Sequence, residues 1–501
     1  MDPDLQTGQL STEAPTAGKP AMFVTLFLAA QFGWKLAAGD VEAAFLNGVE
    51  AKRGLFFEPP KRGLPGVPEG ALIEIIKGVF GLVTSPRLWW EKLAEELLGT
   101  MVKVDGEVLK FHHHPMDPCM FVLRDGRGNP RGCLLTHVDD LLMAAPGPVM
   151  EAVQSALSSI FPIGDWEEKD FDYTGTNIKQ KDGVIELSQR SYINARLETV
   201  DIPHGADPND LADQVTKQDN MSTIGALSWL CSQTRPDLQA GVSLAQRKQK
   251  GPTYGDVKET NKLVRMAQAG KDEVLRFEKL CDDPKELILL TYHDAAWANA
   301  QLDPGADDPE MVEQAAGQGV YSQLGHILCL AHRDVLLGKD VKGTIVGWKS
   351  HACPRVCRST FASEVMAGLE GWEDGLAFRS TLSAAINADP RALQEEEARK
   401  VMPLVSITDC KSVYDNVHRI GSPKAPSEKR LIVDVIALKK MVQAEQAYWG
   451  NMLPTGMALR WVPTTSQMAD VLTKVIVNVT GWWQSVRILR LPFECKSNKD
   501  F

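Results

Sequence analysis

The spacing of apolar and polar positions in the first part of the chain predicts a mixture of helices and strands. The run AMFVTLFLAAQFGW (Ala21 to Trp34) is apolar on all sides but too short to span a membrane, so it predicts a core helix. A short strand and a turn at Asn47 and Gly48 follow. The segment SPRLWWEKLAEELLGTM has apolar residues at helical spacing, with Pro86 suited to a first turn, and predicts a second helix.

The segment CMFVLRDGRGNPRGCLLTHVDDLLMAA has the pattern of a β-hairpin, with a strand, a polar glycine-rich turn and a second strand. Its second half places Asp139 and Asp140 between two apolar runs. An unpaired charge is costly to remove from water, so this pair requires a group that neutralises it.

Residues 150–280 have a largely helical pattern, with one strand pair around DYTGTNIKQKDGVIELSQ and two short helices divided near Arg235 and Pro236. The acidic stretch KLCDDPKE marks an internal domain boundary. Beyond it, LILLTYHDAAWANA predicts a strand that ends in Asp294, and DPGADDPEMVEQAAGQG predicts a surface insertion.

The remaining pattern predicts an α/β domain with acidic residues at the ends of its strands. We expect strands at GHILCLAH and TIVGWKS, a long helix over Thr360–Ala385, a strand LVSITD that ends at Asp409, and a last helix over SQMADVLTKV.

Composition narrows the class of protein. The 501 residues suggest two to four domains, and contents of 44% hydrophobic and 24% charged residues are typical of a soluble globular protein. No segment reaches the roughly 18 apolar residues of a membrane span. A net charge of −11 disfavours simple electrostatic binding of nucleic acid, although a polymerase or nuclease site is itself acidic.

Cysteine and histidine spacing predicts neither a disulfide framework nor a zinc site. The nine cysteines are scattered and odd in number, which indicates a reducing compartment. HACPRVC has a Cys-x3-Cys spacing without a second pair at zinc-finger spacing. The three histidines of FHHHP are expected in an exposed loop rather than in a ligand set.

Carboxylates form two groups along the chain. The first comprises Asp40, Asp139 and Asp140, and the second comprises Asp294, Glu364, Asp409 and Asp470. Clustered carboxylates without a basic neighbour suit oxygen-seeking cations such as Mg²⁺, and two such ions can support a phosphoryl displacement. The alternative is that each aspartate after a strand is a turn or cap residue, and that Glu364 and Asp470 lie on solvated helix faces.

Nine motifs occur along the chain in a fixed order. The first five are GDVEAAFLNG, KGVFGLVTSPRLWWEKL, MDPCMFV, THVDDLLMA and MSTIGALSWLCSQTRPDLQAGVS, and the last four are TYHDAAWAN, VGWKSHACPRVCRSTFASEVMA, ITDCKSV and VPTTSQMADVLTK. In this order, the first five resemble the reverse transcriptase motifs of copia-type LTR retrotransposon polyproteins, and the last four resemble the ribonuclease H motifs of the same family. The matches extend over about residues 12–480.

The resemblance implies roles for particular residues. Asp40, Asp139 and Asp140 would be the polymerase metal ligands. Phe45 would stand at the steric gate that rejects a ribose 2′-hydroxyl, although an ordinary core phenylalanine is the alternative. Thr84 would take the place of a glutamine that contacts the nucleotide sugar.

For the second half, the resemblance implies a ribonuclease H site made of Asp294, Glu364, Asp409 and Asp470. Each of the two active sites would hold two Mg²⁺ ions, with Mn²⁺ as an alternative. The expected partners are an RNA template, a primer, deoxynucleotides and an RNA–DNA hybrid, with a second copy or other element-encoded proteins as further partners and no membrane. The expected location is a cytoplasmic virus-like particle, with the nucleus as the alternative.

The resemblance also predicts the architecture: an α/β (α+β) chain in which a polymerase palm and thumb with incomplete fingers precede a ribonuclease H-like α/β domain. The expected divisions are a flexible lead (1–20), a reverse transcriptase domain (21–250), a connection (251–285), a ribonuclease H-like domain (286–480) and a C-terminal tail (481–501).

Three departures from the family predict a truncated or decayed polymerase. The family's upstream basic segment has no counterpart here, Val83 and Thr84 replace its Lys-Gln pair, and His137 replaces the tyrosine before the aspartate pair. The leading hypothesis is an RNA-directed DNA polymerase with ribonuclease H activity. The alternatives are an inactive nucleic-acid-binding remnant and a chain with ribonuclease H activity alone.

Overall fold

The computed structural model describes residues 12–300, 321–421, 429–450, 457–475 and 479–492, and it combines helices with β-sheets. The chain divides into two compact units. Unit 1 comprises Met1–Thr174, Lys179–Asp182 and Ala384–Pro390, and unit 2 comprises Gly175–Ile178, Gly183–Ser383 and Arg391–Phe501. None of the described helices is long and apolar enough to cross a membrane.

Unit 1 is built on a strand-rich segment with three long helices. The helices are α1 (Lys19–Phe32), α2 (Ser85–Gly99) and α3 (Gly147–Ile160). The strands are β1 (Lys35–Asp40), β2 (Glu50–Phe57), β3 (Ile73–Lys77), β4 (Met101–Val104), β5 (Glu107–His114), β6 (Asp117–Arg124), β7 (Pro130–His137), β8 (Asp140–Ala145), β9 (Glu167–Glu168) and β10 (Asp170–Tyr173). The division between the units falls within β11 (Thr176–Lys181).

A seven-stranded sheet with the order β4-β5-β6-β7-β8-β1-β9 organises unit 1. All its strand pairs are antiparallel, and the pairing of β1 with β8 places Asp40 opposite Asp140. Helices α2 and α3 contribute Trp89, Leu93 and Leu157 to one apolar core with the sheet residues. Because α3 repeats apolar side chains at helical spacing, one of its faces is covered by this core.

The predicted hairpin around the aspartate pair is two successive hairpins. Strand β6 pairs with β7 after the glycine-rich turn, and β7 then reverses into β8 through Val138 and Asp139. The apolar stretch expected to be one strand is therefore two, and the acidic pair lies where the chain reverses.

Unit 2 contains the remaining elements. Its helices are α4 (Arg190–Arg196), α5 (Gln214–Gln233), α6 (Gln239–Lys248), α7 (Tyr254–Ala269), α8 (Thr360–Ile386), α9 (Glu395–Arg399), α10 (Lys411–His418), α11 (Leu431–Trp449) and α12 (Val479–Arg487). Its strands are β12 (Val184–Ser188), β13 (Leu275–Phe277), β14 (Leu287–Ala300), β15 (Tyr321–His332), β16 (Val341–Ala352), β17 (Leu404–Thr408), β18 (Leu459–Trp461) and β19 (Ile488–Leu489).

A six-stranded mixed sheet with the order β18-β17-β14-β15-β16-β19 organises the later part of unit 2. Strands β14, β15 and β16 are antiparallel neighbours, whereas β17 is parallel to both β14 and β18. A fully buried ion pair joins α8 to α11. The two terminal guanidinium nitrogens of Arg379 donate to the Glu445 carboxylate, at 2.5 and 3.1 Å. Glu445 also accepts a hydrogen bond from the Leu404 amide at 2.9 Å, which holds the start of β17.

Helices α5, α6 and α7 share a separate apolar cluster in unit 2. The break between α5 and α6 falls at Thr234–Leu238, as the sequence predicts. There, buried Arg235 binds Asp237 and donates to the carbonyl oxygens of Ala267 and Gly270, so the motif TRPD closes the end of α7.

Several expectations for individual elements are confirmed and others are wrong. The helices expected at Ala21–Trp34 and Thr360–Ala385 are confirmed. Strand β14 continues past Asp294 to Ala300, and the predicted last helix is instead two 3₁₀ turns, Thr464–Ser466 and Met468–Leu472.

The three histidines expected in a loop lie at the end of β5. The predicted insertion DPGADDPEMVEQAAGQG lies outside the described residues. The predicted divisions at residues 20, 250, 285 and 480 remain predictions.

Candidate metal centres

Three carboxylates of unit 1 converge at one point of the seven-stranded sheet. Asp40, Asp139 and Asp140 each offer an oxygen, and these oxygens all lie within 4.8 Å of one another. Asp40 is the last residue of β1, Asp140 is the first residue of β8, and Asp139 lies in the turn before β8. The antiparallel register therefore brings together residues that are a hundred positions apart.

The residue before Asp40 is a glycine, and the Trp166 ring packs closely against it. A Cβ atom at Gly39 would lie 2.9 Å from the Trp166 indole, which packs against this point of β1. The backbone is anchored on both sides of Asp40, because the Gly164 amide donates to the Asp40 carbonyl oxygen and the Val41 amide donates to that of Asp139, each at 3.1 Å.

The turn that carries Asp139 has an unfavourable backbone conformation. Val138 has φ of 60°, a left-handed value that a β-branched residue rarely adopts. The indole nitrogen of Trp89 donates to the Val138 carbonyl oxygen at 2.7 Å, and the ring itself is buried in the core. Helix α2 thus holds the turn in place, as expected where surrounding structure maintains local strain.

Burial, followed by repulsion between the carboxylates, raises the pKa of two members of this first cluster. Partial burial raises the pKa of Asp40, and the charges of Asp139 and Glu42 raise it further. Burial also raises the pKa of Asp140, with the charges of Asp139 and Asp40 as the next causes. Among the described residues, the three carboxylates form no ion pair with a lysine or arginine.

The two residues predicted to contact a nucleotide differ in their surroundings. Phe45 is half-buried in the 3₁₀ turn after β1, and its ring lies 5.0 Å from that of the exposed Phe80. Thr84 precedes α2 and is buried, and its hydroxyl has no hydrogen-bond partner.

A second carboxylate cluster lies in unit 2. Asp294, Asp409 and Asp470 place their oxygens within 4.8 Å of one another. The parallel pairing of β14 with β17 explains two of them. Tyr292 is opposite Ile407, so the residues two positions further along, Asp294 and Asp409, are neighbours. Asp470 comes from the 3₁₀ turn Met468–Leu472.

Glu364 is not part of this group of three, but it lies close enough to repel two of its members. It is buried near the start of α8, and its Oε2 atom has no hydrogen-bond partner among the residues that the structure describes. Burial raises the pKa of Glu364 well above its usual range, and the charges of Asp294 and Asp409 raise it further. The pKa of Asp294 is also raised, chiefly by burial.

Two residues of the second cluster were not singled out from the sequence. The Lys474 ammonium lies 2.9 Å from Asp470 and 3.7 Å from Asp294, and the hydroxyl of Thr473 donates to Asp294. Both belong to the motif QMADVLTK. The i to i+4 spacing of Asp470 and Lys474 was the available signal, but it does not reveal the contact with Asp294, 180 positions away.

Both clusters fit divalent cations. In the first, three convergent carboxylates have no ion pair with any described lysine or arginine, so a hard cation suits them as the neutralising group. In the second, the buried Oε2 of Glu364 has no hydrogen-bond partner in the described ranges, and Lys474 offsets only part of the charge of the three further carboxylates. Oxygen-only donor sets of this kind suit Mg²⁺ or Mn²⁺.

The segment that carries the first cluster, with Asp40, Asp139 and Asp140, matches a known protein family. Residues 9–208 match the family described as "Reverse transcriptase (RNA-dependent DNA polymerase)". The chain is 25% identical over 308 residues to the "Retrovirus-related Pol polyprotein from transposon RE1" of Arabidopsis thaliana, a match that covers 58% of this chain and 20% of that protein. The corresponding polyprotein from transposon RE2 of the same plant is 25% identical over 300 residues, 57% of this chain and 19% of that protein.

The chain therefore spans about a fifth of the length of these two relatives. Among solved structures, the foamy viral protease-reverse transcriptase in complex with dsDNA matches 81% of this chain and 66% of its own, at 8% identity and a TM-score of 0.19.

Proposed function

We propose that the chain acts as an RNA-directed DNA polymerase, because its residues 9–208 match the reverse transcriptase family and it is similar to retrotransposon Pol polyproteins. The observation that supports this most strongly is the convergence of Asp40, Asp139 and Asp140 within 4.8 Å, with no ion pair to a lysine or arginine in the described part of the chain. Bound Mg²⁺ would stabilise the attacking and leaving oxygens of a nucleotidyl transfer.

In this proposal the chain's own residues position the reacting groups. Asp40 and Asp139 bind the cations, and Asp140 adds a further negative charge opposite Asp40. Trp89 is a positioning residue, because its bond to Val138 fixes the turn that carries Asp139. The ring of Phe45 limits the space beside the site and so discriminates against a ribose 2′-hydroxyl.

Primer extension on an RNA template tests the polymerase proposal. We expect Asp139→Asn to abolish extension by the purified chain in Mg²⁺, because the amide loses the charge that holds a cation. Asp105→Asn is the matched control, since Asp105 lies in the turn between β4 and β5, is exposed, and already has a positive φ of 50° that asparagine tolerates. Extension that survives in Asp139→Asn would refute the assignment.

A second activity, cleavage of the RNA strand of an RNA–DNA hybrid, is favoured by the cluster in unit 2. Three carboxylates converge there, those of Asp294, Asp409 and Asp470, and buried Glu364 lies close enough for two of them to raise its pKa. We propose that they bind divalent cations that activate water for phosphodiester hydrolysis, as the resemblance to ribonuclease H implies. Hybrid recognition would depend on duplex shape and 2′-hydroxyls rather than on sequence.

Hybrid cleavage by the full chain tests this second site. Asp409→Asn should abolish cleavage, whereas Asp415→Asn should leave it intact, because Asp415 lies exposed on α10 and pairs with Lys411. If neither extension nor cleavage occurs in the wild type but the chain still binds a hybrid, it is the nucleic-acid-binding remnant. If cleavage occurs without extension, only the second site is active.

A further inference from the structure

Two cysteines lie in contact in the segment that connects β16 to α8. The Sγ atoms of Cys353 and Cys357 are 3.6 Å apart, and both side chains are buried, whereas Pro354 and Arg358 between and beside them are exposed. The connecting segment is fixed at Arg355, whose guanidinium binds Asp434 on α11.

The surroundings of this pair do not complete a metal site. Among the described residues, no group of three His, Cys, Asp or Glu ligands includes Cys353 or Cys357. His351, the nearest histidine in sequence, directs its Nε2 to Glu370 at 2.6 Å and its Nδ1 to the Ala352 carbonyl oxygen at 2.7 Å. Because zinc takes three or four protein ligands, a pair of thiols outside any such group in the described ranges suits covalent pairing better than zinc.

The separation of the two sulfurs is compatible with a disulfide. A disulfide bond is about 2.05 Å long, so the sulfurs need to approach by roughly 1.5 Å. The two residues are in one short connection, so no rearrangement of a helix or of the sheet is needed to join them.

We propose that Cys353 and Cys357 form a dithiol that peroxide oxidises to an intramolecular disulfide. The Cys353 thiolate attacks one oxygen of hydrogen peroxide, so the O–O bond breaks and a sulfenic acid and hydroxide form. The Cys357 thiolate then attacks that sulfur, the S–S bond forms, and the S–O bond breaks with release of a second hydroxide. With the two thiol protons, the products are one disulfide and two waters.

The chemistry of the pair assigns the first attack to Cys353. The hydrogen bond from the Cys357 thiol, aided by the Arg355 backbone and charge, lowers the pKa of Cys353 to about 7 despite its burial. A thiolate, rather than a thiol, is the nucleophile towards peroxide.

One hydrogen bond and one short stretch of chain link the two cysteines to elements that carry Asp294 and Glu364. The Trp297 indole, on the strand that carries Asp294, donates to the Cys357 carbonyl oxygen at 2.9 Å. Helix α8, which carries Glu364, begins three residues after Cys357. Closing the disulfide therefore changes the connection beside two acidic residues, and we expect it to lower hybrid cleavage, a consequence that rests on the proposed function.

Mass spectrometry of the full wild-type chain tests the dithiol without any substitution. After peroxide treatment and alkylation, we expect a peptide in which Cys353 and Cys357 are linked and carry no alkyl group. Reduction before alkylation should restore two alkyl groups. Full alkylation of both cysteines after peroxide, or linkage of either to a different cysteine, would overturn the proposal.

Two variants sharpen the test. Cys357→Ser should leave Cys353 as a sulfenic acid that a dimedone probe captures, whereas Cys329→Ser, at a buried cysteine of β15, should still form the Cys353–Cys357 link. Hybrid cleavage should fall several-fold on oxidation of the wild type and not of Cys357→Ser. A linked peptide with no cleavage in either redox state would refute the proposed ribonuclease H function and leave the dithiol intact.

Discussion

The indole of Trp89 donates a hydrogen bond of 2.7 Å to the carbonyl oxygen of Val138, the residue immediately before Asp139. This contact joins helix α2 to the turn between β7 and β8 across 49 positions of the chain. Because Val138 has a positive φ, the turn needs such an external support. The core of unit 1 thereby determines where one of the three proposed metal ligands lies.

Loss of this contact should weaken primer extension more than stability. Trp89→Phe removes the donor to the half-buried Val138 carbonyl, at a cost of about 1 kcal/mol in the free energy of unfolding. We expect extension to fall by roughly tenfold or more, because small misplacements of catalytic groups are costly.

The matched control for that experiment is Trp90→Phe. Trp90 is the next residue of α2, and its ring stacks against Arg87, 4.8 Å away, rather than supporting the turn. Equal loss of extension in the two variants would show that the Val138 bond has no special role. The comparison requires denaturation curves for both proteins.

The buried pair between α8 and α11 should dominate the stability of its unit. Glu445→Gln leaves the Arg379 guanidinium buried beside a neutral partner, and breaking a buried pair in this way costs about 3 to 5 kcal/mol. Glu397→Gln, at a surface pair with Lys400, should change the unfolding free energy by less than about 0.5 kcal/mol. Urea denaturation followed by tryptophan fluorescence would measure both, and equal midpoints would contradict this role.

Lys474 should set the Mg²⁺ requirement of hybrid cleavage. Its ammonium offsets part of the charge of Asp470 and Asp294, so Lys474→Gln leaves the carboxylates more negative and favours a divalent cation. We expect the Mg²⁺ concentration for half-maximal cleavage to fall on the order of tenfold, a change of about 1.4 kcal/mol. Lys400→Gln is the control, and an unchanged or higher Mg²⁺ requirement in Lys474→Gln would argue against competition between the lysine and the cation.

The alkylation rate of Cys353 should depend on pH, and replacing Cys357 should change that dependence. Since its pKa is lowered to about 7, chiefly by the hydrogen bond from Cys357, the alkylation rate should reach half its maximum near that pH and plateau above it. In Cys357→Ala the midpoint should rise towards about 8.5, the value of an unperturbed thiol, because alanine has no side-chain donor. Identical midpoints in the two proteins would show that Cys357 does not stabilise the thiolate.

Much of the fold was predictable because the apolar spacing is strong in long elements. The core helix α1, the break at Arg235 and the long helix α8 all follow from local sequence. The meeting of Asp40 with Asp139 and Asp140 was inferred through resemblance, and the structure explains it by the antiparallel register of β1 and β8.

Other features of the fold and of the two sites could not be predicted from local sequence, because they depend on tertiary contacts. Valine is a poor residue for a left-handed turn, so the chain reversal at Val138 contradicts local preference and went unpredicted. The helical pattern of SQMADVLTKV was misleading, because Met468, Val471 and Leu472 are buried from a short 3₁₀ turn rather than from a helix. The contact of Lys474 with Asp294 joins positions too distant for any local pattern to reveal.

The central claim is that the chain has two independent carboxylate sites, one in each unit. Its most direct test measures both primer extension and hybrid cleavage, in Mg²⁺, for the wild type, Asp139→Asn and Asp409→Asn. We predict that Asp139→Asn loses extension and keeps cleavage, and that Asp409→Asn loses cleavage and keeps extension. Loss of both activities in either folded variant, or of neither activity in both, would contradict the account.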